Sequence, residues 1–191
     1  MNIFYLSHNH VQCAQWHVDK HVVKMILESC QLLSTARRLI DGAPTIEKRY
    51  VQGSLPARFR NIKRWVLADN PAADKIIYQA THINHPSAVW VRQSWENYVW
   101  LSDLTFALID EYKYRYGKDH KCEVVARYLA YPPVNNFPQK GFTQPTPAMD
   151  KKYLIYTNGI INSSLSYRNY YINGKRHLAK WTKRDNPDWF I

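Results

Sequence analysis

His17, His21, Lys24, Glu28, Gln31 and Thr35 follow one another at alternating steps of four and three. On an α-helix those steps align side chains along one face. Two imidazoles, an ammonium, a carboxylate and an amide in one line are the groups a site uses for proton transfer, imine chemistry or metal binding. Val18, Val22, Val23, Ile26, Cys30, Leu33 and Ile40 fall toward the opposite side. A solvated polar face shows the same division. Such faces are mostly Lys and Glu, however, and this one carries His17 and His21 with His8 and His10 just upstream.

Three chemistries compete for these residues. In the first, a lysine attacks an anomeric carbon or aldehyde. The amine must then be unprotonated, which burial and neighbouring cations favour. Lys20 and Lys24 flank His21, and Glu28 lies one turn beyond Lys24, where a carboxylate stabilises an oxocarbenium-like state or moves the proton. In the second, His17 and His21 share one metal ion, with His10 or His85 joining. Val18 follows His17, so the H-E-x-x-H pattern is absent, and no cysteine pair accompanies it. Neither a metal nor another cofactor is therefore expected. In the third, Asn84 and His85 open a helix whose N-terminus attracts an anion, with Arg92 two turns on. Phosphate-loop, dinucleotide-fold and G-x-S-x-G signatures are missing.

The elements that must position these groups read as mainly α. Asn2 to Leu6 is a short apolar lead-in, and Ser7 or Asn9 caps a helix from about Val11 to Ile40, stopped by Asp41-Gly42. Pro86 suits the first turn of a second long helix that ends at Gly117, with Arg92 and Glu96 spaced as an i,i+4 pair. Glu123 to Tyr131 predicts a third helix, and Asp150 to Tyr171 a fourth that Gly159 weakens. The expected architecture is a compact single-domain helical bundle over residues 1–191, with long loops and little or no sheet.

Charge points to the partner. There are 26 Lys and Arg against 15 Asp and Glu, a net charge of +11. That balance suits a polyanion, most often nucleic acid. Residues 43–80 read as a basic arm between the two long helices, where Arg58, Arg60, Lys63 and Arg64 would contact phosphates. Residues 173–191 read as a basic, aromatic tail carrying Lys175, Arg176, Lys180, Lys183 and Arg184. No stretch approaches the roughly 20 apolar residues of a membrane span, and Cys13, Cys30 and Cys122 fit no metal spacing. Reduced thiols, a cytoplasmic location and no membrane partner are expected.

The segments MNIFYL, HVDKHVVKMILESCQLLSTA, NHPSAVWVRQSWENYVWL, YRYGKDHK and YRNYYINGKRHLAKWTKRDNPDWF resemble a family of small proteins of tailed bacteriophages. The resemblance covers nearly the whole chain outside Lys48 to Tyr78. Some members of that family look similar to the pyrimidine-dimer DNA glycosylases of the endonuclease V type. That similarity implies a compact helical enzyme, in the host cytoplasm if phage-encoded, that exposes a damaged or modified base and cleaves its glycosidic bond. It also implies an amine nucleophile, the N-terminal one in those glycosylases, assisted by a glutamate on the first long helix. Glu28 is the glutamate available. Asn2 is not a small residue of the kind that normally permits removal of Met1, which leaves the amine of Met1, that of Lys20 or Lys24, or a different chemistry.

The leading expectation is a base-excising DNA N-glycosylase, with Lys24, Glu28, His21 and His17 as catalytic candidates and Asn84, His85, Arg92 and Gln31 as substrate contacts. A non-catalytic nucleic-acid-binding protein and an enzyme acting on free or modified nucleotides are the rivals. Convergence of His17, His21, Lys24, Glu28 and His85 in one concave pocket would separate catalysis from binding alone.

Overall fold

The computed structural model describes residues 1–53, 56, 58–135 and 137–191. Ser54, Leu55 and Ala57 of the expected arm, and Asn136 of the proline-rich loop over residues 132–147, lie outside the described residues. Helices dominate, with two small two-stranded hairpins beside them. The order is α1 (His10–Trp16), α2 (Asp19–Asp41), β1 (Ala43–Tyr50), β2 (Phe59–Val66), α3 (Pro71–Ile76), α4 (Pro86–Gln93), α5 (Trp95–Tyr116), α6 (Glu123–Tyr128), β3 (Tyr156–Thr157), β4 (Ile160–Ile161) and α7 (Ser163–Gly174). Among the described residues no helix is long and apolar enough to cross a membrane.

The single helix expected from Val11 to Ile40 is two helices. Asn9 caps the first by accepting the Gln12 N–H. The chain then turns out of helix at His17, whose backbone is extended and whose Nδ1 bonds the Cys13 carbonyl at 2.7 Å. The carbonyls exposed by this break meet Arg115, a buried side chain of α5. Its guanidinium donates to Gln15 O and His17 O and pairs with Asp19 and Glu111 at 2.9 and 2.7 Å. A buried helix end without such partners would be costly.

The second long helix is also divided. Ser94 has extended backbone and caps α5 by accepting the Asn97 N–H. Trp95 N–H donates to Pro138 O, and Asn97 bonds Trp90 O and Thr143, so the proline-rich loop fills the break. Arg92 and Glu96 therefore do not form the expected i,i+4 pair on one helix. Gly117 closes α5 in the left-handed region at φ +65°, where its N–H reaches Lys113 O.

α2 runs through the middle of the molecule against α4 and α5. Ile3, Leu6, Val22, Ile26, Leu33, Trp90, Leu101, Leu104 and Leu108 are buried in one apolar cluster with Tyr167 and Tyr171 of α7. The expected contrast between a wet polar stripe and a dry apolar one is reversed in part. His21, Glu28 and Thr35 are buried, while Val23 and Leu27 are exposed. Enclosure of α2 on several sides overrides its amphipathic pattern.

Two further expectations change. Residues 43–66 form an antiparallel hairpin, with Ala43 opposite Val66 and Tyr50 opposite Phe59. Residues 67–78 are not part of a projecting arm. Leu67, Ala73 and Ile77 are buried, and fully buried Arg38 of α2 gathers the carbonyls of Trp65, Asp74, Ile77 and Tyr78 and the Asp74 carboxylate. Between Asp150 and Tyr171 the expected helix is reduced to a single 3-10 turn at Lys151–Tyr153 and, beyond the β3–β4 hairpin, α7. Asn158 and Gly159, both at positive φ, join β3 to β4, the pairing that a two-residue hairpin turn demands.

Candidate active site

The extended N-terminal segment, α2 and the end of α7 enclose a solvent-open pocket of about 230 Å³ lined by Met1, Asn2, Phe4, His21, Lys24, Met25, Glu28, Tyr170 and Lys175. Glu28 is buried and sits between two nitrogens. Its Oε2 accepts the Asn2 backbone N–H at 2.9 Å, and its Oε1 lies 3.2 Å from Lys24 Nζ. Lys24 reaches in from solvent, its side chain 66% exposed. A carboxylate so placed can accept a proton from an adjacent amine or stabilise a cation formed beside it.

Asn2 is fixed from three sides. Its Oδ1 accepts Tyr167 OH at 2.6 Å and the Ile3 N–H at 2.8 Å, and its Nδ2 donates to Ala148 O. The first residues of the chain are thereby held against Glu28. Sequence reasoning missed Asn2, Phe4 and Tyr170 as pocket residues, because their places depend on contacts with α2 and α7. Lys175, expected on a distal tail, stands on this pocket with its ammonium 5.2 Å from the Tyr170 ring.

His21 is stacked on Phe4, with ring centroids 4.1 Å apart, and its Nδ1 shares a hydrogen bond of 2.7 Å with Tyr171 OH. Burial, then the neighbouring His17, Lys175 and Lys24, push its pKa down to about 3. His21 is therefore neutral near pH 7 and supplies no positive charge beside Lys24 to favour that amine's unprotonated form. His17 does not share the α2 face, because the break removes it. It lies fully buried behind the pocket, its pKa lowered to about 4 mainly by burial, and its Nε2 has no hydrogen-bond partner among the described residues. The break also removes the shared helical face that would have let His17 and His21 grip one ion. Among the described residues no group of three or more His, Cys, Asp or Glu is placed to hold a metal.

His85 caps α4 through Nδ1, which accepts the Ser87 N–H. Its pKa is lowered by desolvation, then by the Met1 amine and His82, with Glu28 acting in the opposite sense. The chain start, Glu28 and His85 thus share one electrostatic neighbourhood. Asn84 is exposed beside it. Arg92 is turned to structural use, donating to Ala88 O and Ile83 O, and also lines a separate cleft with Lys140 and Thr143. Gln31 accepts the Thr35 hydroxyl through its backbone carbonyl.

The basic candidates divide by what they already touch. Arg58 and Arg60 are exposed on the hairpin, Lys63 stands over the Trp65 ring, and Arg64 pairs with Glu47 at 2.6 Å. The C-terminal segment is a strap packed on the body rather than a free tail. Trp181 is buried with its Nε1 on Trp16 O, and Thr182 donates twice to Asp19. Arg184 grips the buried Glu111 with two nitrogens, Lys183 donates to Tyr114 O, and Arg176 donates to Ile191 O. Lys180 is exposed.

No family model, no curated protein and no solved structure matches this chain.

Proposed function

We propose that this protein is a phage-type DNA-processing enzyme that excises a damaged or modified base by cleaving its N-glycosidic bond. The observation that carries the reading is Glu28, buried in an open pocket with the Asn2 backbone nitrogen and the Lys24 ammonium at its two oxygens. The net charge of +11 and the resemblance of the quoted motifs support DNA as the partner. The pocket, at about 230 Å³, is smaller than the roughly 300–1,000 Å³ of sites that enclose a whole small ligand. It suits a single sugar or base presented from a strand lying outside.

In this mechanism an unprotonated amine at the pocket, that of Lys24 or of Met1, attacks the sugar C1′. The C–N bond to the base breaks, its electron pair leaves with the base, and the base takes up a proton. Glu28 accepts the proton that the attacking nitrogen loses. Ring opening then gives an imine, which water hydrolyses to regenerate the amine.

The test is incubation with ultraviolet-damaged and modified DNA, with released base and abasic sites scored by mass spectrometry. Base release that depends on Glu28 is expected. DNA binding with no base release from any substrate would favour the non-catalytic reading. Turnover of free nucleotides alone would favour a nucleotide enzyme.

A further inference from the structure

We infer that one face of the β1–β2 hairpin is a stacking platform for an unpaired DNA strand. Side chains alternate across a strand, and directly opposed residues share a face. The observed register therefore places Ile46, Lys48, Tyr50, Phe59, Lys63 and Trp65 on one side. Tyr50 and Phe59 are directly opposed, with ring centroids 5.7 Å apart and the planes at 64°. Both are open to solvent, Phe59 at 65% and Tyr50 at 47% exposure, and Ile46 is 60% exposed. Lys63 Nζ stands 5.2 Å over the Trp65 ring at the base of the same face.

The two faces of the ribbon are built for different tasks. Arg49, Arg60 and Arg64 lie on the other side with Glu47, which pairs with Arg49 at 3.1 Å and Arg64 at 2.6 Å. The aromatic face has ammonium groups at Lys48 and Lys63 and no carboxylate paired with either among the described residues. Exposed apolar strands invite edge pairing and aggregation unless something covers them. Here the cover is identified by charge. The aromatic face itself carries Lys48 and Lys63 and no acid, and residues 43–66 as a whole hold six cations against one acid, so the occupant is anionic. Rings at the two ends of the face, Tyr50 and Phe59 at one and Trp65 at the other, with the Lys48 and Lys63 ammonium groups between them, match bases flanking phosphates, the combination used in sequence-tolerant single-strand binding. A paired duplex hides its base faces and offers the rings nothing to stack on.

The inference takes DNA as the partner from the reading above, but it concerns binding alone. It is tested with the full-length protein, fluorescence anisotropy, a labelled oligothymidylate of about 12 nucleotides and a duplex of equal length. Wild type should bind the single strand more tightly than the duplex. The double variant Tyr50→Ala with Phe59→Ala should weaken single-strand binding about tenfold or more, with the salt slope unchanged. Lys48→Gln with Lys63→Gln should instead lower the salt slope by about 0.7 for each phosphate no longer neutralised. Phe59→Trp should retain binding, which guards against a misfolded hairpin. Single-strand affinity within twofold of wild type after both ring deletions overturns the inference. So does a preference for duplex, or an aromatic-face variant that changes oligomeric state and leaves DNA affinity intact. Base release without any effect of the ring variants would leave the enzymatic reading standing and remove this one. Ring-dependent single-strand binding without base release would do the reverse.

Discussion

Glu28 and Asn2 lie 26 residues apart in sequence and share a hydrogen bond of 2.9 Å from the Asn2 backbone N–H to Glu28 Oε2. This bond ties the start of the chain to the middle of α2. It also fixes the carboxylate so that its second oxygen faces Lys24. One side chain is thus both an anchor for the N-terminal segment and the carboxylate of the pocket, and the two roles respond differently to substitution.

Glu28→Gln separates them. The amide oxygen still accepts the Asn2 N–H, while the charge is lost. The pair with Lys24 is largely exposed on the lysine side and contributes little to stability. Base release should fall about 10²–10⁴-fold, the range of a proton-transfer group, with the melting temperature nearly unchanged. Glu28→Ala should lose activity and also about 1–3 kcal/mol of stability, because the Asn2 N–H is left without its acceptor. Equal activity in wild type and Glu28→Gln would remove Glu28 from the chemistry.

Under the proposed mechanism, borohydride reduction of the imine expected with the opened sugar would identify the amine. Lys24 stands 3.2 Å from Glu28, and the Met1 amine lies near enough to His85 to depress its pKa. If Lys24 is the nucleophile, Lys24→Ala abolishes the protein–DNA cross-link, and Lys24→Arg retains DNA binding without it. If the cross-link persists in both variants and peptide mapping finds it at residue 1, the chain start carries the chemistry. Base release with no trapping in any variant would leave Glu28 to activate water directly.

The α character and the joint placement of His21, Lys24 and Glu28 were legible because steps of three and four are local geometry. The interruption at His17 was not. It is fixed by Arg115, which is 98 positions away from the carbonyl it binds. The pocket wall was hidden for the same reason, since Asn2 is placed by Tyr167 and Ala148. The hairpins are different. The Asn158-Gly159 pair is a turn signal present in the sequence, and Ile46 and Tyr50, set among polar or charged Thr45, Glu47, Lys48 and Arg49, give a weaker period-two one. Cation density in one segment and flanking helical residues in the other outweighed them.

Acid sensitivity should follow from the two buried imidazoles. An unfolded histidine titrates near 6.5, whereas folding holds His17 to about 4 and His21 to about 3, chiefly by burial. Below about pH 6.5 the unfolded chain takes up protons that the folded chain refuses, so stability is lost as pH falls toward those folded values. The slope is about 1.4 kcal/mol per pH unit for each imidazole within its window. Melting temperature should drop between about pH 7 and pH 5, before the carboxylates begin to titrate. His21→Asn, which keeps an acceptor for Tyr171, should flatten that drop by about half. A melting temperature independent of pH in this interval would contradict the burial of both rings.

Finally, hairpin and strap cations should behave differently although the sequence makes them look alike. Arg184 is held by both oxygens of Glu111, a carboxylate only 4% exposed, and its guanidinium rests 4.2 Å from the Tyr114 ring. Removing it leaves Glu111 with Arg115 alone, so Arg184→Gln should cost about 1–3 kcal/mol in urea unfolding. The dependence of DNA affinity on salt should not change, because that guanidinium already has its anion. Lys48, Arg60 and Lys63 form no ion pair with a carboxylate among the described residues. Neutralising those three should leave the unfolding midpoint within experimental error and lower the slope of log K against log salt by about 0.7–0.9 for each phosphate no longer neutralised. A reduced slope in Arg184→Gln, or an unchanged slope in the hairpin triple variant, would move the DNA-binding surface from the hairpin to the strap.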